Sequence, residues 1–168
     1  MCTVVLFGGL DTLASLLGFV ARFLAESPEH RQRLVLEPEL IPFAVEELLR
    51  RFAVAGVGRI APRDLQIRDI TIKEGERIWL PSFLHNLDER RFQDPLLVDF
   101  NRRGPLHASF GNGIHRCPGS NLARTELRIF LEEWLRRIPQ FGVAPGATPL
   151  TGAGIILSMK YLPLTWIS

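Results

Sequence analysis

Apolar positions along the chain fall into blocks of different period, and the blocks predict the elements. Residues 1–25 are apolar almost throughout, with Asp11 the sole formally charged side chain between Met1 and Ala21. Such a run predicts a long helix covered by protein on most sides. A membrane span is not expected: an aspartate near its centre costs about 2.5–3.5 kcal/mol on insertion scales. No Lys or Arg precedes the run, so the basic start of a signal peptide is missing too. Ser27-Pro28 reads as an N-cap followed by proline at the first helical position, opening a short helix that ends before Pro38. Residues 39–52 predict another helix, with Leu40, Phe43, Ala44, Leu48 and Phe52 at helical spacing. Between Arg59 and Leu80 the period drops towards two, through Leu65, Ile67, Ile70 and Ile72, a turn at Glu74-Gly75, and Ile78 to Leu80.

Residues 81–109 carry many charges and little periodicity, which predicts a long irregular connection of the kind that is usually functional. After Pro118 an amphipathic helix spans 118–138, with Leu122, Ala123, Leu127, Phe130, Leu131, Trp134, Leu135 and Ile138 on one side. Pro139 stops it. The tail, with Gly152, Gly154, Ile155-Ile156-Leu157 and Pro163, predicts short strands and turns. The fold class expected is mainly α with small β-sheets (α+β), residues 1–168 forming one piece of a single domain. The all-apolar first helix needs more neighbours than this chain supplies, so a larger domain is expected, with its N-terminal part missing.

Composition narrows the function. A 46% hydrophobic and 23% charged chain is ordinary for a globular protein, and a net charge of +2 gives no reason to expect nucleic acid as a partner. The two cysteines, Cys2 and Cys117, form no CxxC pattern, which excludes a disulfide framework and fits a cytoplasmic protein.

Three constellations carry candidate chemistry. In Phe110-Gly-Asn-Gly113-Ile-His115-Arg-Cys117-Pro-Gly119, a cysteine ends a glycine-rich turn just before the long amphipathic helix. The positive end of the helix dipole favours a thiolate there. Gly113 allows a backbone that a Cβ would forbid, Gly119 allows the helix to approach closely, and Phe110 can shield the sulfur. An anionic, shielded sulfur on a rigid turn suits a haem iron. The residues alone also fit a buried structural cysteine, a nucleophile activated by His115, or a zinc ligand with His107 and His115. Glu47-Leu-Leu-Arg50 places a carboxylate and a guanidinium on one helix face, a weak signal by itself. Gly8-Gly9-Leu10-Asp11-Thr12 puts two glycines inside a helix at roughly 1 kcal/mol each, which calls for a ligand against the backbone or a bend aided by Thr12.

Taken in order, these motifs resemble the C-terminal part of a cytochrome P450, and in particular the soluble bacterial class typified by camphor hydroxylase. Gly8–Thr12 is similar to the oxygen-activating segment of that family's central helix, here 1–25. Glu47 and Arg50 are similar to its ExxR pair, within 39–52, and residues 110–119 to its FxxGxxxCxG haem signature. The resemblance implies haem b with Cys117 as the thiolate ligand, whose electron density favours O–O cleavage. It implies that Asp11 and Thr12 deliver protons to dioxygen and that His115 and Arg59 hold haem propionates. Glu47 and Arg50, with Arg102 as candidate third member, would brace the fold. Val4, Phe7, Ala55, Ile156 and Leu157 would line the substrate pocket. Phe7 is larger and Ala55 smaller than is usual in that class, so the cavity is reshaped. Val57 stands where an acidic residue is usual, and Pro118 has no N–H to offer the sulfur.

The function implied is insertion of one oxygen atom into an apolar, terpenoid-like small molecule, with electrons from a [2Fe-2S] ferredoxin and its reductase. Arg102, Arg103, Arg116, Arg124 and Arg128 are the candidate docking cluster. The missing N-terminal part, as a separate chain, is a further candidate partner. Two other readings stand beside it: a non-catalytic remnant with weak haem binding, and a helical interaction domain whose Cys117 is structural.

Overall fold

Five helices and eight short strands follow one another in a computed structural model that describes the backbone of residues 2–166 and the side chains of residues 8–166. The first helix, α1 (Cys2–Glu26), runs unbroken through Gly8–Thr12, so the bend expected there does not appear as a break. Its stretch Gly8–Glu26 is long and apolar enough to cross a membrane. Leu16, Val20 and Leu24, spaced by one turn each, are nevertheless buried against the rest of the protein. Gly18 lets this helix lie close to the tail: a Cβ there would stand 2.7 Å from Met159 Cβ.

α2 (Pro28–Leu36) starts at proline, whose missing N–H leaves no intrahelical bond unmade. Ser27 does not cap it through its side chain, contrary to expectation; its carbonyl instead accepts the Arg31 N–H at 3.1 Å. A 3-10 turn (Pro38–Leu40) leads into α3 (Ile41–Arg51), so the helix expected over 39–52 is two elements. Ala44 and Leu48 are fully buried as the spacing requires, while Phe43 is exposed with the Arg103 guanidinium over its ring at 4.5 Å.

β1 (Gly56–Ile60) pairs antiparallel with β4 (Arg77–Pro81), and β2 (Leu65–Ile67) with β3 (Ile70–Ile72). A short α4 (Ser82–Asn86) follows, then an irregular connection to the 3-10 turn Gly113–His115. α5 (Ser120–Arg137) buries Leu127, Leu131 and Leu135 and ends just before Ile138-Pro139. In the tail, β5 (Phe141–Val143) pairs with β8 (Leu164–Trp166) and β6 (Leu150–Gly152) with β7 (Ser158–Tyr161). Ile155-Ile156-Leu157 is not a strand of its own. It joins the first part of the chain through a bridge between Ala55 and Ile156 and through the Leu157 N–H, which donates to Val54 O at 2.8 Å.

One core joins these parts. Leu16, Val20 and Leu24 of α1 meet Leu34 of α2, Ala44 and Leu48 of α3, and Leu127 and Leu131 of α5, closed by Phe100 and Phe141. Each fully buried leucine contributes about 1.5–3 kcal/mol. The architecture is the expected one: helices around one core, with small sheets at the margins.

Candidate functional site

The site is built outward from α3. Glu47 and Arg50 are one helical turn apart on its buried face. Arg50 Nε donates to Glu47 Oε2 at 2.8 Å and Arg50 Nη2 to Oε1 at 2.9 Å. Arg102 Nε reaches the same carboxylate, 3.1 Å from each oxygen, and the Asp99 N–H adds a fourth donor at 3.0 Å. The isolated pair suggested by spacing alone is therefore part of a buried network, and Arg102 is its third charged member.

This network holds the irregular connection in shape. A segment without regular structure must still satisfy its carbonyls. Arg50 donates to the carbonyls of Asn86, Pro95 and Leu97, and Arg102 to those of Gln93, Asp94 and Leu97. Asn86, fully buried, was not singled out from the sequence. Its Nδ2 donates to Arg50 O at 3.1 Å and Ser109 Oγ at 2.8 Å, and its Oδ1 accepts the Ala108 N–H at 2.8 Å. Its partners lie 22 to 36 residues away, so no local pattern reveals it.

From Ala108 the chain enters the cysteine loop. Gly111 and Gly113 take φ of +69° and +76°, a region that favours glycine. The loop closes when Cys117 N–H donates to Phe110 O at 2.9 Å and Arg116 N–H to Gly113 O at 3.1 Å. Two expectations need correction. Cys117 is exposed, and the half-buried Phe110 ring lies near His107 and Arg124 while its carbonyl accepts the Cys117 N–H. Gly119 is not where α5 approaches closely: a Cβ there would meet only Cys117 Sγ, at 3.8 Å, and Gly119 serves instead as the helix N-cap.

An exposed cysteine is not a core hydrophobe, so a structural role through burial is set aside. Zinc is disfavoured as well. His107 is turned to Glu46, with Nε2 3.2 Å from Oε2, and among the described residues no group of three or more His, Cys, Asp or Glu side chains is placed to hold a metal ion. A lone exposed sulfur, in a loop whose Ile114 is 97% exposed, fits a flat apolar group that brings its other iron ligands with it. His115, at the end of the 3-10 turn, and Arg59, on β1, are exposed and chemically suited to carboxylates.

The remaining candidates are spread out. Asp11 is exposed and Thr12 half-buried on α1. Ala55 and Ile156 are brought together by their bridge, with Leu157 beside them. The side chains of Val4 and Phe7 lie outside the described residues. Four of the five arginines of the candidate docking cluster have partners within the structure, and Arg116 is exposed. Arg102 serves Glu47, Arg124 pairs with Glu46 at 2.6 Å, Arg128 pairs with Glu132 at 3.1 Å, and Arg103 lies over Phe43. Glu46 was also missed. Burial pushes its carboxyl up, but hydrogen bonds from His107 and Arg124 outweigh this and hold it at about 2.

The family described as Cytochrome P450 matches residues 1–145. The chain is similar to a probable cytochrome P450 127A1 of Sinorhizobium fredii, 38% identical over 96% of this chain and 39% of that protein. It is similar to a pentalenic acid synthase of Streptomyces avermitilis, 36% identical over 99% of this chain and 42% of that one. A solved structure of cytochrome P450 CYP101C1 superposes with a TM-score of 0.96 at 42% identity, covering 100% of this chain and 43% of the other. The chain thus spans about two fifths of the length of the relatives it matches. Since the motifs, the buried network that they build and the likeness to these proteins coincide along the same stretch of chain, the protein belongs to the cytochrome P450 family.

Proposed function

We propose that this chain is the ligand-bearing portion of a haem-thiolate monooxygenase that inserts one oxygen atom into an apolar, terpenoid-like small molecule. The observation that carries the reading is Cys117: an exposed sulfur on a loop fixed by its own backbone bonds and backed by a buried ionic network. Bound haem b supplies the chemistry that activates dioxygen. Cys117 offers a thiolate to it, and the backbone bond to Phe110 keeps the sulfur from turning away. Pro118, lacking an N–H, leaves the sulfur with one donor fewer and hence more electron-rich. His115 and Arg59 bind the propionates, Gly113 and Gly119 give the loop its course, and Phe110 anchors it.

On α1, Asp11 and Thr12 hold and pass protons towards the oxygen site. A carboxylate and a hydroxyl at neighbouring positions can each accept and release a proton. Ala55, Ile156 and Leu157, with Val4 and Phe7, present apolar surface to the substrate. Electrons come from a redox partner, a [2Fe-2S] ferredoxin served by its reductase; exposed Arg116 is the cation best placed to meet an acidic one. The buried stripe of α1 supports a helix packed against protein, and a cytoplasmic location accords with the soluble bacterial class that the sequence resembles.

The function is tested by Thr12→Ala in the haem-loaded protein, supplied with a ferredoxin system and a turned-over substrate. Haem binding and oxygen uptake should persist while product falls roughly tenfold or more and peroxide rises in its place. Unchanged coupling between oxygen uptake and product would remove Thr12 from the proton path.

A further inference from the structure

The two adjacent carboxylates of α3 face different parts of the protein. Glu47 serves the irregular connection. Glu46 reaches the other way, to α5 and the segment that leads into the cysteine loop. Its Oε1 accepts Arg124 Nε at 2.6 Å, its Oε2 accepts Arg124 Nη2 at 3.0 Å, and His107 Nε2 lies 3.2 Å from Oε2. His107 Nδ1 accepts the Ser109 N–H at 3.3 Å, which leaves the ring proton on Nε2, donated to Glu46. The Arg124 guanidinium also covers the Phe110 ring, 4.7 Å from its centre, and Phe110 O in turn holds the Cys117 amide.

We propose that Glu46 is a positioning residue for the Cys117 thiolate, acting through Arg124 and His107 on Phe110. The inference rests on the reading of Cys117 as the haem ligand. Its physical basis is the difference between one contact and a fork. A bidentate carboxylate–guanidinium pair fixes direction as well as distance, so it resists both sliding and rotation of α5 against α3. Arg124 stands in the first turns of α5, and Cys117 lies three residues before that helix begins. Any slip of α5 would therefore carry the sulfur with it. Residues 107–109 have other anchors, since Asn86 holds Ala108 and Ser109, and Ser109 Oγ donates to Leu49 O at 2.7 Å. Glu46 extends that hold to Phe110, the residue that touches Cys117. Its carboxyl stays ionised through the neutral range, so the fork is always charged.

Glu46→Gln tests this. The side chain is 44% exposed and the substitution keeps its volume, so the fold should survive. Amide exchange at Cys117 would be followed by mass spectrometry in the purified protein, with and without added haem, together with the carbon monoxide spectrum of the reduced haem form. The clamp predicts exchange about three- to tenfold faster at Cys117, and part of the thiolate-type band moving to the neutral-thiol position. Arg124→Gln should do the same, and the double variant should add little, because the two residues act as one unit. Glu132→Gln, which breaks the exposed pair with Arg128 on the same helix, should leave both readouts unchanged. Wild-type exchange and spectrum in Glu46→Gln, or an equal change in Glu132→Gln, would overturn the clamp. The ligand reading fails separately, if Cys117→Ser retains the thiolate-type band.

Discussion

Glu47 shows how far environment changes the worth of a pair. Exposed helix pairs such as Arg128–Glu132 contribute about 0.3–0.5 kcal/mol. Glu47 and Arg50 are 4% and 3% exposed, and every strong donor of Arg50 is committed to the carboxylate or to carbonyls of the irregular connection. Arg50→Met would leave Glu47 with Arg102 and the Asp99 N–H as its donors and would strip the carbonyls of Asn86 and Pro95 of a donor. It should destabilise the protein by about 3–5 kcal/mol in chemical denaturation, while Arg128→Met costs under about 0.5 kcal/mol. Similar losses in the two variants would mean that the network is solvated and adds little. The Glu47–Arg50 pair is legible in the sequence because its spacing is local. Arg102 is legible only through the family resemblance. Asn86 and Glu46 are not legible at all, since their partners come from distant parts of the chain and neither residue type is diagnostic.

Among the elements, period predicts type better than it predicts burial. The helical spacing in α5 correctly assigns Leu127, Leu131 and Leu135 to the core, yet places Leu122 on the same side although it is 54% exposed in the first turn and lies outside the core cluster. Likewise the alternation from Leu65 to Leu80 does give strands, but Ile67 and Ile70 face outward, because a two-stranded sheet at the margin has no layer above it. Leu131→Ala should cost about 2–5 kcal/mol, whereas Leu122→Ala should stay within about 0.5 kcal/mol, both read from urea unfolding. Equal costs would show that α5 packs through a different face. The irregular connection is legible as irregular, since charge without period predicts no regular element; its shape is not, because side-chain donors from α3 and Arg102 impose it.

At the scale of the molecule, a single core organises a chain that spans about two fifths of its relatives' length. That core leaves Leu10 of α1, Ile114 of the cysteine loop and Ile155 of the tail exposed. This is exposed apolar surface on three separate parts of the chain. In the account proposed here, haem, substrate and the rest of the family's fold cover it, and Cys117 is the point at which the chain meets iron. The carbon monoxide spectrum of the reduced, haem-loaded protein, with the rest of the family's fold present, is the direct test, compared between the parent and Cys117→Ser. A red-shifted Soret band of thiolate-ligated haem is expected in the parent and in Cys2→Ser and should be lost in Cys117→Ser; a band that survives Cys117→Ser would mean that another group ligates the iron.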